Sequence, residues 1–97
     1  MKVFISQLMN GLTEEEVMNE RNKAVQYLQS KYGEIEVLES FYKDNVPEDA
    51  GRLWMLGNSI QLLEKADAVY FCDGWEKGKG CIVERCVCEL YGLKILV

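Results

Sequence analysis

The apolar residues of this chain follow two spacings, short runs and longer repeats of three to four positions. Four short runs are rich in β-branched and aromatic residues, which predicts β-strands. These runs cover residues 2–6, 34–39, 68–72 and 94–97. Between them lie three amphipathic repeats, which predict helices that begin after Thr13 and extend over about 52–65 and 80–91.

Helix ends and buried helix faces follow from the same pattern. Thr13, with Glu16 three residues later, is typical of a capping box, and Gly33 and Gly92 each supply a helix stop. We expect the apolar repeats to face the protein core. These inward positions are Val17, Ala24, Val25, Leu28 and Tyr32 in the first helix, Leu53, Leu56, Ile60 and Leu63 in the second, and Val83, Val87 and Leu90 in the third.

The order of the elements is β-α-β-α-β-α-β, which predicts an α/β fold in one domain over residues 1–97. Right-handed crossovers then give a small doubly wound, Rossmann- or flavodoxin-like parallel sheet in the order 2-1-3-4, with helices on both faces. The helices after strands 1 and 3 lie on opposite faces, so a crevice opens between the carboxyl ends of these strands. Loops 7–12 and 73–79 meet there, and loop 40–51 is a further candidate.

The amino-acid composition limits the ligands and catalytic groups that this protein can use. The formal net charge of −5 argues against nonspecific nucleic-acid binding. Histidine is absent, so an acid, base or nucleophile must come from a carboxylate, tyrosine, lysine or cysteine, and we expect neither a metal site nor a cofactor. The apolar runs are too short for a membrane span, and the first residues favour a strand over a signal peptide. These features predict a cytoplasmic protein, in the host cytoplasm if a phage encodes it.

The cysteines are Cys72, Cys81, Cys86 and Cys88. Their spacing matches neither a zinc knuckle nor a secreted disulfide framework, which favours buried or half-buried thiols in a reducing compartment. Cys86 and Cys88 should point in different directions on a helix. Cys81, beside a helix N-terminus, is also a candidate for a lowered pKa and some reactivity, although packing is the favoured interpretation.

The junction between the third strand and the last helix carries the strongest functional pattern. After Asp73 the loop contains Gly74, Gly78 and Gly80, and parallel α/β proteins place ligands at such junctions. Glu84 is expected in the first helical turn, either as a solvated carboxylate that stabilises the helix or as a nucleophile that the helix dipole keeps ionised. The glycines form either a cradle for a phosphate or ribose or a flexible loop.

Other polar and aromatic residues near the crevice are candidates for ligand contacts. Trp75 either stacks on a ligand or packs on the neighbouring loop. Polar groups that suit a sugar or base follow the first and third strands and lie in the second helix. The alternative interpretations are turn chemistry after the first strand and a surface position in the helix. These residues are Ser6, Gln7, Asn10, Asn58 and Asp73.

Four segments carry a resemblance to a known family: MKVFIS, QLMNGL, LLEKADAVYF and above all GWEKGKGCIVE. Over nearly its whole length the chain resembles nucleoside 2-deoxyribosyltransferase-like proteins, in particular their short, uncharacterised phage and bacterial branch (DUF4406-like). In the transferases, a glutamate four residues after a loop glycine attacks the anomeric carbon of a deoxynucleoside. Glu84, four residues after Gly80, matches that glutamate, so the resemblance implies a small-molecule nucleoside or nucleotide as partner.

The chain departs from the transferase pattern at several positions. Gly78 and Ser59 stand where the enzymes carry aspartates, and Gln7 stands where the short branch has glycine. The transferases also complete each site with an asparagine and the terminal carboxylate of a neighbouring subunit, while this sequence stops at Val97. These differences affect recognition of the base and leave the nucleophile position intact.

Three hypotheses follow. The first is a protein that cleaves or transfers an N-glycosidic bond with Glu84 as nucleophile. The second is a noncatalytic nucleotide-binding or nucleotide-sequestering protein of phage type, and the third is an assembly module whose loop contacts protein. A homo-oligomer is expected under each hypothesis, because a small sheet leaves edges and helix faces to cover. The candidate interface residues are Tyr27, Met55 and Tyr91.

Overall fold

The computed structural model describes residues 1–39 and 46–97 and contains a four-stranded parallel sheet flanked by three α-helices. Residues 40–45 of the loop predicted over 40–51 lie outside the described residues. In chain order the elements are β1 (Lys2–Ser6), α1 (Glu14–Tyr32), β2 (Glu36–Val37), α2 (Arg52–Leu63), β3 (Ala68–Phe71), a 3₁₀ turn (Trp75–Lys77), α3 (Lys79–Tyr91) and β4 (Ile95–Leu96).

The strand order is β2-β1-β3-β4, as the sequence predicts. All three strand pairs are parallel, and the central pair aligns Val3 with Ala68 and Ser6 with Phe71. Because consecutive parallel strands are joined by crossover helices, this order confirms the doubly wound α/β class. The ends of β1 and β3 therefore lie side by side at one edge of the sheet.

The alternation of side chains along the strands divides the core between the two faces of the sheet. Val3 and Ile5 of β1 pack in a cluster with Ala24 and Leu28 of α1. Phe4 packs on the opposite face in a cluster with Leu63 of α2, Cys88 of α3, and Val69 and Phe71 of β3. Thus α1 covers one face, and α2 and α3 cover the other.

Helix α1 begins and ends where the sequence predicts. The Thr13 hydroxyl accepts a hydrogen bond from the Glu16 backbone N–H at 3.1 Å, and the Glu16 carboxylate accepts one from the Thr13 N–H at 3.0 Å, which completes the capping box. Gly33 adopts a φ of 82° after the last turn, a conformation that glycine adopts without steric cost. The buried residues of this helix include the predicted Val17, Ala24 and Leu28, and also Arg21.

The buried faces predicted for α2 and α3 are only partly correct. In α2, Leu63 is buried, but Leu53 at the start of the helix is 83% exposed. In α3, Val83 and Leu90 are exposed. The residues that α3 buries are instead Cys81, Glu84 and Cys88. Compact cysteine side chains allow this side of the helix to lie close to the sheet, and the larger apolar residues remain outside.

The two edge strands are shorter than predicted. The sequence predicts strands over 34–39 and 94–97, whereas the hydrogen-bonded strands are Glu36–Val37 and Ile95–Leu96. An edge strand has a partner on one side only, so the pairing ends where its single neighbour diverges. The 3₁₀ turn at Trp75–Lys77 is an addition to the prediction, because so short an element has no periodic signal.

Candidate functional site

Ser6 and Glu84 form a buried hydrogen bond at the carboxyl end of the sheet. Ser6 ends β1 and, by alternation, points to the same face as Phe4, toward α3. Its hydroxyl donates to Oε1 of Glu84 at 2.7 Å, and the two residues are 2% and 7% exposed. Within the described part of the chain, Ser6 is the one side chain that donates to this carboxylate. The site thus contains a buried carboxylate with a single donor.

The connection from β3 to α3 positions Glu84. Gly74 adopts a left-handed conformation with a φ of 90°, and after the 3₁₀ turn Gly78 serves as the N-cap of α3. Glu84 is the sixth residue of a helix that begins at Lys79, so it lies in the second turn. The expectation that it lies in the first turn is therefore wrong. Helix α3 begins at Lys79, close to the end of β3. The inward-facing residue that contacts Ser6 is Glu84, in the second turn of this helix.

The buried position of Glu84 in the second turn of α3 determines the pKa of its carboxyl group. Burial raises the pKa of its carboxyl above the ordinary value, and the hydrogen bond from Ser6 lowers it in part. The helix dipole acts mainly within the first turn, so it does little to offset desolvation at this residue. Glu84 is consequently a buried acid whose ionised form is costly, rather than a carboxylate that the dipole keeps charged.

Cys81 lies in the same group of side chains. It is buried, and burial raises the pKa of its thiol, while the Ser6 hydroxyl acts in the opposite direction. The alternative of a lowered pKa at the helix N-terminus is therefore wrong, and packing accounts for this cysteine. Cys72 and Cys88 are also buried, whereas Cys86 is exposed, contrary to the prediction of four buried or half-buried thiols. Cys86 and Cys88 point in different directions, as expected.

Gln7 is separated from Glu84, although it follows Ser6 directly. Its side-chain amide donates to the Val17 carbonyl at 3.0 Å and to Oε1 of Glu20 at 3.3 Å. Its carbonyl oxygen accepts from Nη1 of Arg21 at 3.3 Å. Alternation directs adjacent side chains to opposite faces, so Gln7 is buried against α1 while Ser6 faces α3. The polar contacts of Gln7 are thus made within the protein.

Arg21 is a buried cation that the sequence prediction missed. It is 5% exposed, and besides Gln7 it donates to the Leu38 carbonyl at 3.1 Å, which connects α1 to the chain after β2. Burial lowers the pKa of its guanidinium, and Glu39 acts in the opposite direction. The available signal was its spacing, since Arg21 lies four residues after Val17 and three before Ala24 on the buried stripe.

Trp75 packs within the protein. Its ring lies 5.6 Å from the Phe71 ring, centroid to centroid, and the Arg85 guanidinium lies 4.9 Å from the indole centroid. The side chain is half-buried and belongs to the cluster that includes Phe71 and Cys88. Of the two interpretations of Trp75, its contacts support packing, although its partners are Phe71 of β3 and Arg85 of α3 rather than the neighbouring loop.

Gly78 and Gly80 lie at the start of α3, as its N-cap and its second residue. Gly78 is buried, and a Cβ atom placed there would lie 3.2 Å from Cδ1 of Leu8 and 3.3 Å from Sγ of Cys81. Such contacts are tighter than most that real Cβ atoms make, so this position favours glycine. Gly80, one turn before Glu84, faces Leu56 of α2, whose Cδ1 would lie 3.8 Å from an added Cβ.

The remaining predicted ligand contacts are dispersed. Asn10 is exposed in the turn closed by the hydrogen bond from the Leu12 N–H to the Met9 carbonyl. The amide of Asn58 donates to the Trp54 carbonyl at 2.9 Å within α2. Asp73 borders an open groove of about 580 Å³ on the α1 face, and Glu84 does not line this groove. The structure therefore places Ser6 in contact with Glu84, and Gly78 and Gly80 precede Glu84 at the start of α3. Gln7 is bound to α1 instead, and Asp73 borders a groove that Glu84 does not line.

The fold and this junction define a class of protein, a Rossmann-like parallel α/β protein with a buried carboxylate at its switch point. The chain belongs to the family described as a domain of unknown function, DUF4406, whose model matches residues 1–97. No curated protein sequence matches the chain. Over residues 1–39 and 46–97, no helix has the length and apolar character needed to span a membrane.

Proposed function

We propose that this protein binds a nucleoside or nucleotide at the β1–α3 junction and cleaves or transfers its N-glycosidic bond, with Glu84 as the nucleophile. The observation that carries the proposal is the buried Glu84 carboxylate, 2.7 Å from the Ser6 hydroxyl at the end of a central strand. Ligands of open parallel sheets bind outside the carboxyl ends of the strands, and Glu84 lies at that edge. The resemblance to deoxyribosyltransferases supplies the substrate class.

The chemistry requires an ionised carboxylate. A Glu84 oxygen forms a bond to the anomeric carbon while the bond from that carbon to the base nitrogen breaks, and the base leaves with the electron pair and takes a proton from solvent. In the second step, water or the nitrogen of another base attacks the anomeric carbon and displaces the carboxylate. This double displacement is the route that retaining glycosidases use through a carboxylate.

Ser6 acts as a positioning residue in this proposal. Its hydroxyl holds one carboxylate oxygen and leaves the other for the sugar. Because burial raises the pKa of Glu84, the donor also increases the fraction of nucleophile that is ionised. The backbone around Gly78 and Gly80 is proposed to contact the sugar or a phosphate, since glycine permits close approach.

The test is incubation with 2′-deoxynucleosides and a second free base, and separately with nucleotides, followed by chromatographic measurement of base release or exchange. Glu84→Ala and Glu84→Gln should abolish turnover, whereas the exposed control Glu89→Gln should retain it. Mass spectrometry of a trapped reaction should show a glycosyl adduct on the peptide that contains Glu84. Turnover that survives Glu84→Ala excludes the mechanism.

One observation favours a second candidate, a binding protein without catalysis. The transferases use an aspartate at the position of Gly78 to hold the base, and here the space around Gly78 is occupied by Leu8 and Cys81. A noncatalytic nucleotide-binding protein needs the pocket but not this aspartate. Calorimetry with a panel of nucleosides and nucleotides, followed by recovery of the ligand, separates the candidates, because a binding protein returns its ligand chemically unchanged. Absence of binding by every nucleoside and nucleotide of the panel excludes both candidates.

A further inference from the structure

Helix α3 is apolar on the side that faces away from the sheet. Its inner side carries Cys81, Glu84 and Cys88, which are buried. On the opposite side Ile82 is 46% exposed, Val83 38% and Leu90 76%, and Cys86 is exposed between them. At about 100° per residue these four side chains fall within roughly one third of the helix circumference. We refer to Ile82, Val83, Cys86 and Leu90 as the outer face of α3.

An apolar outer face is unusual for a surface helix. The outward side of such a helix is normally charged or polar, and a helix that is apolar all round is normally buried on all sides. Contiguous exposed apolar patches mark interaction sites, whereas single exposed apolar residues need no explanation. The outer face of α3 is of the first kind, because its members are adjacent on the helix surface.

Two opposite charges beside the outer face of α3 can pair with the same two charges of a second chain. Arg85 and Glu89 lie along one edge of the face, and Nε of Arg85 is 3.1 Å from Oε1 of Glu89. When two copies of a helix pack antiparallel about a twofold axis, the same edge of each copy meets in reversed order. Arg85 of each copy then lies opposite Glu89 of the other, so both charges gain a partner of opposite sign.

The net charge of the molecule also favours the outer face of α3 as the site of contact between two copies. The chain carries a formal net charge of −5, so two copies repel each other over most orientations. On α3 the charges that reach the surface are Lys79, Arg85 and Glu89, because Glu84 is buried. This helix therefore presents an apolar surface with no acidic excess, where two copies of an acidic chain can approach.

We infer that a second copy of this chain covers the outer face of α3, and that the two α3 helices pack antiparallel about a twofold axis. Cys86 lies near the centre of the interface. For an interaxial distance of about 8–10 Å and a Cα radius of about 2.3 Å, the two Cys86 Cα atoms come within the roughly 4.4–6.8 Å that a disulfide spans. Of the sequence-predicted interface residues, Tyr91 ends the same helix, whereas Tyr27 lies on α1 across the sheet.

The first test measures mass by sedimentation equilibrium over a range of protein concentrations. The wild-type chain should reach twice the mass of one chain, and Val83→Lys should shift the equilibrium to monomer by tenfold or more in dissociation constant. Met18→Lys is the matched control, because Met18 on α1 is 37% exposed, close to the 38% of Val83, and lies across the sheet. A wild-type monomer at every concentration overturns the inference, as does a dimer that Val83→Lys leaves intact.

The second test uses the charge pair and Cys86. Glu89→Arg should weaken the dimer, because it places a cation opposite Arg85 of the other copy. It leaves the half-buried Arg85 in place on the Phe71 and Trp75 rings. Mild oxidation should produce a disulfide-linked dimer of the wild type and none of Cys86→Ser. A dimer that Glu89→Arg leaves at full strength, or that does not crosslink through Cys86, overturns the antiparallel arrangement. Both readouts are independent of ligand binding and turnover.

Discussion

The Ser6 hydroxyl donates to the Glu84 carboxylate at 2.7 Å, although 78 positions of sequence separate the two residues. Ser6 is the last residue of a central strand, and Glu84 lies one helical turn beyond the loop that follows the neighbouring strand. The parallel pairing of β1 with β3 brings these two segments together. The contact therefore joins the carboxyl ends of two strands across the switch point of the sheet.

Glu84→Gln is expected to remove activity and to stabilise the fold. Under the proposed mechanism, loss of this carboxylate should reduce turnover at least about a thousandfold. At neutral pH the amide avoids the cost of a buried charge, while its oxygen still accepts from Ser6. A gain of about 1 kcal/mol corresponds to a rise in Tm of about 4–8 °C for a domain of this size.

The stabilisation of the fold by Glu84→Gln should increase as the pH rises. Burial raises the pKa of Glu84 in the folded state, so its carboxyl destabilises the fold only where it must ionise. This destabilisation is absent well below the pKa that Glu84 has in the unfolded state, and it grows as the pH rises through that value. It is complete above the pKa that Glu84 has in the folded state. The difference in Tm between Glu84→Gln and wild type should therefore be large at neutral pH and vanish in acid. A difference that stays constant with pH, or one that the exposed control Glu34→Gln reproduces, contradicts this account.

Ser6→Ala should raise the pKa of Glu84 further. The hydroxyl is the group that lowers this pKa, so its removal leaves desolvation unopposed. Carboxyl ¹³C NMR should show the Glu84 titration at higher pH than in wild type, and the rising limb of a pH–rate profile should move in the same direction. Ser30→Ala, an exposed serine on α1, should leave both unchanged. A Glu84 titration that does not move shows that the hydrogen bond is electrostatically unimportant.

The buried pair of Gln7 and Arg21 should contribute to stability as a unit. Gln7→Ala and Arg21→Met should each cost about 1–3 kcal/mol, because each leaves a buried polar partner unsatisfied. The double substitution should cost less than the sum of the two, since both remove the same 3.3 Å hydrogen bond. Urea denaturation measures these free energies, with the exposed Lys23→Met as control. Additive losses indicate that the two side chains act independently.

The cysteines should divide into one reactive thiol and three protected ones. Cys86 is exposed, whereas burial raises the pKa of Cys72 to about 12 and that of Cys88 to about 11 and also raises the pKa of Cys81. A thiol reagent at neutral pH should modify Cys86 alone in the folded Val83→Lys chain, where no second copy covers this residue, and all four cysteines in denaturant. Peptide mass spectrometry identifies the modified residues. Rapid native modification of Cys81 is the result that contradicts its burial.

The strand order and the limits of α1 were predictable from the chain because they depend on local signals. Period-two and period-3.6 spacings identify strands and helices, and right-handed crossovers leave few arrangements of four parallel strands. The capping box at Thr13 and the turn at Gly33 involve residues close in sequence. The glycine-containing junction after the third strand indicates Glu84 as a candidate, and the resemblance matches it to a glutamate nucleophile. Membership of the DUF4406 family supports the coarser part of that resemblance.

The rotation of α3 about its own axis, and contacts between residues distant in sequence, depend on packing in the tertiary structure. The sequence predicts Val83 and Leu90 as the inner side of α3, but the helix turns Cys81, Glu84 and Cys88 inward. The inner side is the less apolar of the two because it contains Glu84, so hydrophobic periodicity favours the wrong side. Fit against the sheet selects the side with the compact residues Cys81 and Cys88. That rotation brings Glu84 to Ser6. Strand alternation sends the next residue, Gln7, to Arg21 on the other face, a separation that composition and spacing do not encode.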